Sequence, residues 1–259
     1  MKRGWIALWV GLAGWGGIGC APETATLDPA IEKQLVEEME TERQQTETTI
    51  QITTLSNDST SVSRVQMWEA EGMKISVTES TGVLPADDLT YSVQASSNGL
   101  GVDVWLEKTN DGFSIRSYTL DSSYAQPASE FAFWMQFLFT WRDGQIVGLN
   151  PAYRFTKEGN TITASLMDLE EAEADFMEQN DRTVNDLNRV EIYKDEYVLT
   201  FDRQEDWLSL RCLRDRLMET NGSVSVVNTE TTWMKTAPFL SKEEQAQIGQ
   251  IVARLLEDQ

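Results

Sequence analysis

The chain has 259 residues, with 21 basic against 42 acidic side chains and a net charge of −21, and a field of that sign repels nucleic acid and anionic lipid headgroups. It contains no His and two Cys, which removes Ser-His-Asp and Cys-His nucleophilic machinery, His-based zinc or iron sites and zinc ribbons. With 41% hydrophobic residues it has the apolar content for one sizeable core and is not a disordered acidic polymer.

Lys2 and Arg3 make a positive start, Trp5 to Ala13 an apolar run, and Gly14 to Gly19 the small-residue region that a secretory signal needs before its cleavage point. The stretch Gly17-Ile18-Gly19-Cys20 resembles a bacterial lipobox, with Gly17 where Leu is usual. The resemblance implies that residues 1–19 are a signal peptide and that Cys20 becomes the first mature residue and carries the lipid, a membrane anchor at the cell envelope. Ala21 rather than Asp after the Cys implies, by the same resemblance, the outer membrane of a two-membrane bacterium, or the outer face of the cell membrane where there is only one. Loss of Lys2 and Arg3 leaves 19 basic against 42 acidic residues, a mature charge of −23. With Cys20 lipidated, no intramolecular disulfide is available, and Cys212, in an apolar stretch read as helical, is expected to be a buried inert thiol.

Residues 20–27 read as a polar tether, and residues 28–259 as a single domain with no Pro- or Gly-rich linker. Asp28 suits a helix N-cap and Pro29 the first helical position. Ile31, Leu35 and Met39, with Val36, then form an apolar stripe down to about Gln45, opposite a Glu-rich, solvated face.

From Glu47 the period changes to two, and strands are predicted around Ile50 and Ile52 and over Val62 to Glu69, Met73 to Thr78, Leu89 to Ala95, Leu100 to Lys108 and Phe113 to Leu120. In the clearest of these, Leu100, Val102, Val104 and Leu106 alternate with Gly101, Asp103 and Trp105, placing Trp105 on the face opposite the core.

Phe131 to Trp141 is the most apolar segment after the signal and is too short to span a bilayer. Read as a helix, it puts Phe131, Trp134, Leu138 and Trp141 on one face, while Phe133, Phe137 and Phe139 cover the other. That surplus of apolar surface makes Trp134, Phe137, Leu138 and Trp141 the candidate ligand-binding residues.

Strands at Ala152 to Thr156 and Thr161 to Met167 follow, then a solvated amphipathic helix over 168–179. A hairpin is predicted with Val190 to Tyr193 and Tyr197 to Phe201 paired across Lys194-Asp195-Glu196, then a helix over 204–219 and a strand from Ser223 to Met234. In the last helix Ser241 and Glu244 form a capping box, and Ile248, Ile251, Val252 and Leu255 run down one side, so it should dock on the sheet.

Catalytic signatures are missing. The one Gly-x-Gly-x-x-Gly match, Gly14 to Gly19, lies in the signal segment with no preceding strand, and Glu107 to Gly112 fails calcium-loop spacing because Tyr118 stands where Glu is needed. Asp87-Asp88 and Glu170-Glu171 read as wet surface rather than a glycosidase pair. No catalytic residue, metal site or cofactor is expected, a carboxylate-based hydrolase being the one enzyme class that a chain with 42 acids leaves open.

The element order predicts an α+β fold: a large curved antiparallel sheet, a half-barrel, with helices packed on one face. Across residues 28–259 this order, together with the lipobox, resembles the unclosed β-barrel of bacterial lipoprotein carriers and of mycobacterial lipid-handling lipoproteins. The resemblance implies a non-catalytic protein that binds a lipid or other apolar ligand in the half-barrel. The competing expectation is an envelope assembly or scaffolding subunit that uses an apolar patch and its acidic surface to bind a protein partner.

Overall fold

The computed structural model describes residues 28–257 apart from 58, 82–89, 98–99, 111, 122–129, 182–186, 203–205 and 221–222. The signal segment, Cys20, the tether and Asp87-Asp88 lie outside the described residues.

Helix α1 (Pro29–Gln44) begins where its chemistry directs, with Asp28 accepting a hydrogen bond from the Ala30 N–H at 2.9 Å and Pro29 in the first turn. Six strands follow: β1 (Thr48–Ser56), β2 (Ser59–Ala70), β3 (Met73–Thr81), β4 (Thr90–Ser97), β5 (Leu100–Thr109) and β6 (Gly112–Asp121). A short helix, α2 (Glu130–Met135), runs through a 3-10 turn (Gln136–Leu138) into the hairpin β7 (Phe139–Arg142) and β8 (Gln145–Leu149). The chain is completed by β9 (Tyr153–Glu158), β10 (Thr161–Leu166), α3 (Leu169–Asp181), β11 (Leu187–Phe201), β12 (Trp207–Thr220), β13 (Ser223–Lys235) and α4 (Lys242–Glu257).

Eleven strands form one antiparallel sheet in the order β6-β5-β4-β3-β2-β1-β13-β12-β11-β10-β9, so the sheet is open and β6 and β9 are its edges. This is the expected α+β class built on a large antiparallel sheet. The pairing of β1 with β13 joins the two ends of the chain at the centre of the sheet. Tight turns link several neighbours: Glu71 and Gly72 at φ 53° and 76° turn β2 into β3, and Asp143 and Gly144 at 51° and 76° turn β7 into β8, the left-handed pairs that two-residue hairpins require.

Register shows that the two halves of the sheet bury opposite faces. Ile50 pairs with Val65 and Ile52 with Trp233, so these side chains share one face. Val77 pairs with Gln66, and Gln66 with Thr49, each one residue along from that set, so Val77 projects from the other face. Over β1 and β9–β13, the first face is covered by α1, α2 and the β7–β8 hairpin, with Leu35, Phe131, Met135, Leu138, Tyr197, Trp207 and Trp233 among the buried side chains. Over β2–β5 the second face is covered by α4, where Leu240, Ile248 and Val252 meet Ile75, Val77, Val93 and Val104. Each half thus carries its covering helices on one face, and the chain crosses between faces when it leaves β13 for α4. Gln66, fully buried, fixes that crossing by accepting the backbone N–H groups of Phe239 and Leu240 at 3.0 and 2.9 Å.

The capping box is made in both directions: Ser241 N–H donates to Glu244 Oε2 at 2.7 Å, and Glu244 N–H to Ser241 Oγ at 3.2 Å. Glu244 also accepts from Lys108, a hydrogen bond that holds its carboxyl below the usual range. Ile248 and Val252 are buried, while Ile251 and Leu255 pack at the rim. Val102, Val104 and Leu106 are buried and Trp105 is half exposed, as the alternation predicts.

Four expectations are corrected. The helix expected over 204–219 is not formed in its described part: from Trp207 the chain is strand β12, because its helix-forming Leu, Arg and Met residues are recruited into ladders with β11 and β13 on both sides. There is no hairpin at Lys194-Asp195-Glu196; β11 runs through it, with a register shift between Ile192 and Lys194, and the N–H of Ile192 donates to Glu173 Oε1 of α3 at 2.6 Å. The segment Phe131 to Trp141 is helical only to Met135 and extended from Phe139, where aromatic and β-branched residues pair across the Asp143-Gly144 turn. Finally, the Glu-rich side of α1 is not wholly solvated, since Glu38 and Glu42 are buried beside Leu35 and Met39.

Candidate functional site

The strands β12 and β13 lie side by side with Cys212 opposite Thr231, Arg214 opposite Thr229 and Arg216 opposite Val227, all projecting from the face that α2 covers. Between this floor and α2 is a cavity of about 240 Å³ lined by these six residues together with Met218, Trp233 and Trp134. Trp134 packs on Trp233 with ring centroids 5.1 Å apart and on Phe137 at 6.1 Å.

The charged group at the site is a triad from β11 and β12. Arg214 Nε donates to Asp195 Oδ2 at 3.1 Å and Arg216 Nη2 to the same oxygen at 3.0 Å. Arg214 Nη2 also donates to the Tyr197 hydroxyl at 2.5 Å, and its guanidinium lies 5.2 Å over the Trp134 ring and 5.7 Å over that of Tyr197. Both arginines and Asp195 are mostly buried, with side-chain exposures of 24%, 18% and 5%. Asp195 Oδ1 and Trp233 Nε1 are buried with no hydrogen-bond partner among the described residues, a cost of about 1–3 kcal/mol each.

Burial pushes the Cys212 thiol up to about 11, and it raises the hydroxyls of Tyr153 and Tyr197 further from neutrality. Among the described residues no group of three or more His, Cys, Asp and Glu could hold a metal ion. Glu170 and Glu171 are exposed in the first turn of α3.

Of the four candidates from the sequence, Trp134 lines the cavity. Phe137 is half-buried against Trp134 and its carbonyl accepts from the Asn150 side chain at 3.0 Å. Leu138 is fully buried in the core. Trp141, on β7, stacks edge-on with Phe139, donates from Nε1 to the Gln136 carbonyl at 3.1 Å and has the Arg43 guanidinium 5.2 Å over its ring. The structure therefore brings Trp134 and Phe137 together and turns Leu138 and Trp141 to other contacts. Arg214, Arg216, Asp195 and Trp233 were not singled out by sequence. The available signal was the spacing of Cys212, Arg214, Arg216 and Met218, which share one face only if the segment is a strand.

A second buried ionic cluster lies where α1 meets the sheet. Lys235 Nζ is 3.1 Å from Glu42 Oε1, and that oxygen also accepts from Trp207 Nε1 at 2.5 Å. Glu38, one turn earlier, is left as the surplus acid: burial pushes its carboxyl up to about 7, Lys235 opposes the rise, and Glu42 and Asp206 add to it.

No protein-family model matches the chain, and no curated protein sequence matches it. Among solved structures it is similar to two inactive variants of the CurK dehydratase, at 10% and 9% identity and a TM-score of 0.17, each aligned over 75% of this chain and 78% of the other. It is also similar to the bifunctional dehydratase-cyclase domain of ambruticin biosynthesis, at 11% identity and a TM-score of 0.19 over 81% and 80% of the two chains. Likeness at this level assigns neither a fold family nor an activity to the chain.

Proposed function

We propose that the protein is a non-catalytic binding protein of the cell envelope, anchored through lipid on Cys20, that seats a lipid or other apolar ligand against Trp134 and Trp233. The observation that carries this reading is the cavity between α2 and the β12–β13 floor, with the rings of Trp134 and Trp233 in its wall and a buried Cys212 thiol held at about 11. Its volume is below the usual range of about 300–1,000 Å³ for sites that enclose drug-sized ligands, so it takes a small ligand or the end of a longer one.

The test is mass spectrometry of the full chain purified from membranes, under native and extracting conditions, for wild type and Trp134→Ala. A small molecule retained by wild type and lost from the variant supports the reading; no co-purifying molecule in either opposes it. The anchor is tested separately, since Cys20→Ser should move the protein out of the membrane fraction. A Cys20→Ser protein that stays membrane-bound opposes the lipid anchor.

A partner-binding role draws on a different observation. Val224, Val226 and Met234 project from the face of β13 opposite the cavity and are 62%, 50% and 48% exposed.

A further inference from the structure

We infer that the occupant of the cavity carries a carboxylate, so that the site takes a small amphiphilic carboxylate with its head on Arg214 and its apolar body along Trp134, Trp233, Met218 and Val227. This rests on the reading of the cavity as a binding site and adds the chemistry of the ligand.

Three features carry it. The first is the placement of two arginines in the lining of a largely apolar cavity, in a chain with twice as many acids as bases. Buried guanidinium groups are costly unless an anion faces them, and here both converge on a single oxygen of Asp195. The second is that the plane of Arg214 is held before any ligand arrives, by its bonds to Asp195 and Tyr197 and by the ring faces of Trp134 and Tyr197. With its Nε and one Nη2 hydrogen spent on these bonds, a guanidinium fixed in this way keeps its Nη1 and second Nη2 hydrogens for a planar two-oxygen acceptor, with little further loss of side-chain freedom. The third is size: at about 30 Å³ per water-sized group, a cavity of about 240 Å³ holds about eight non-hydrogen atoms. Hexanoate has that many, and hexanamide matches its shape without the charge.

The experiment is titration calorimetry of the full chain in phosphatidylcholine nanodiscs, with empty nanodiscs as the blank and hexanoate, hexanamide and acetate as probes. Hexanoate should bind at least tenfold more tightly than either hexanamide or acetate. Arg214→Gln should abolish the advantage of hexanoate over hexanamide while leaving hexanamide binding within twofold. Where Arg214→Gln lowers the unfolding midpoint so far that binding is not readable, Arg214→Lys serves as the second variant: it keeps the charge but not the planar donor set, and should cut the advantage of hexanoate over hexanamide at least threefold. Equal affinity for hexanoate and hexanamide, both weakened by Trp134→Ala, overturns the carboxylate inference and leaves the apolar site standing. Equal affinity for hexanoate and acetate, indifferent to Trp134→Ala, overturns the apolar reading instead. Absence of binding by all three probes overturns both.

Discussion

Replacing Glu38 by Gln should make the protein less sensitive to alkaline pH. Glu38 sits on the buried side of α1, and the nearby Lys235 is already paired with Glu42, whose same oxygen takes the Trp207 indole N–H. Burial is the main reason that its carboxyl rises from 4.5 to about 7, with the Glu42 and Asp206 charges adding to it against Lys235. A carboxyl whose pKa is higher in the folded than in the unfolded state binds protons more tightly when folded. Its contribution is therefore fully present below pH 4.5, falls as pH rises, and is lost once pH has passed about 7. The difference of about 2.5 units corresponds to roughly 3 kcal/mol at 1.36 kcal/mol per unit, most of it expressed between pH 5 and pH 8. Gln is neutral throughout and close in shape. The stability of Glu38→Gln relative to wild type should thus increase by about 2–3 kcal/mol from pH 5 to pH 8, or about 5–10 °C in unfolding midpoint for a chain of this size. The assay is urea or thermal unfolding of both proteins at the two pH values, followed by far-UV circular dichroism. A difference between variant and wild type that is the same at pH 5 and pH 8 refutes the argument that burial raises the Glu38 carboxyl in the folded protein.

Ile248→Ala should cost about 2–5 kcal/mol in chemical unfolding, because Ile248 is fully buried between α4 and the β2–β5 half of the sheet; a loss under 1 kcal/mol would mean that α4 is not docked as described. Trp207→Ala and Trp134→Ala form a contrast measurable by the same method. Trp207 is fully buried, stacked on Phe131 at 3.7 Å and bonded to Glu42, so its loss should cost about 3–5 kcal/mol, whereas half-buried Trp134 at the cavity wall should cost clearly less. Equal costs would place Trp134 energetically in the core. Cys212 should react with a maleimide at pH 7 only at the rate at which the protein opens, since its thiol is buried and held at about 11, and fast labelling of the native protein would contradict that burial.

The parts of this protein whose signals are local are legible in its amino-acid sequence. The Asp28-Pro29 start of α1, the Ser241/Glu244 box of α4 and the alternation of Val102, Val104 and Leu106 each depend on residues a few positions apart, and each has the expected geometry. That the segment from Trp207 is a strand follows from the folded sheet, because the stabilising partners of β12 come from β11 and β13 and outweigh helix propensity. The same cause hid the site. Arg214 and Arg216 occupy inward positions where a period-two reading expects apolar residues, and they are tolerated there because Asp195, on the neighbouring strand, and the rings of Trp134 and Tyr197 meet them. Asp195 in turn resembled a turn residue until its partners were in place. Glu38 and Glu42 follow the same pattern: their helix was legible, but their burial depends on Lys235 and Trp207, which lie more than 160 residues away along the chain. Charged side chains can be buried when their counter-charges are supplied by distant strands, and that pairing is a property of the folded sheet rather than of any local stretch of sequence.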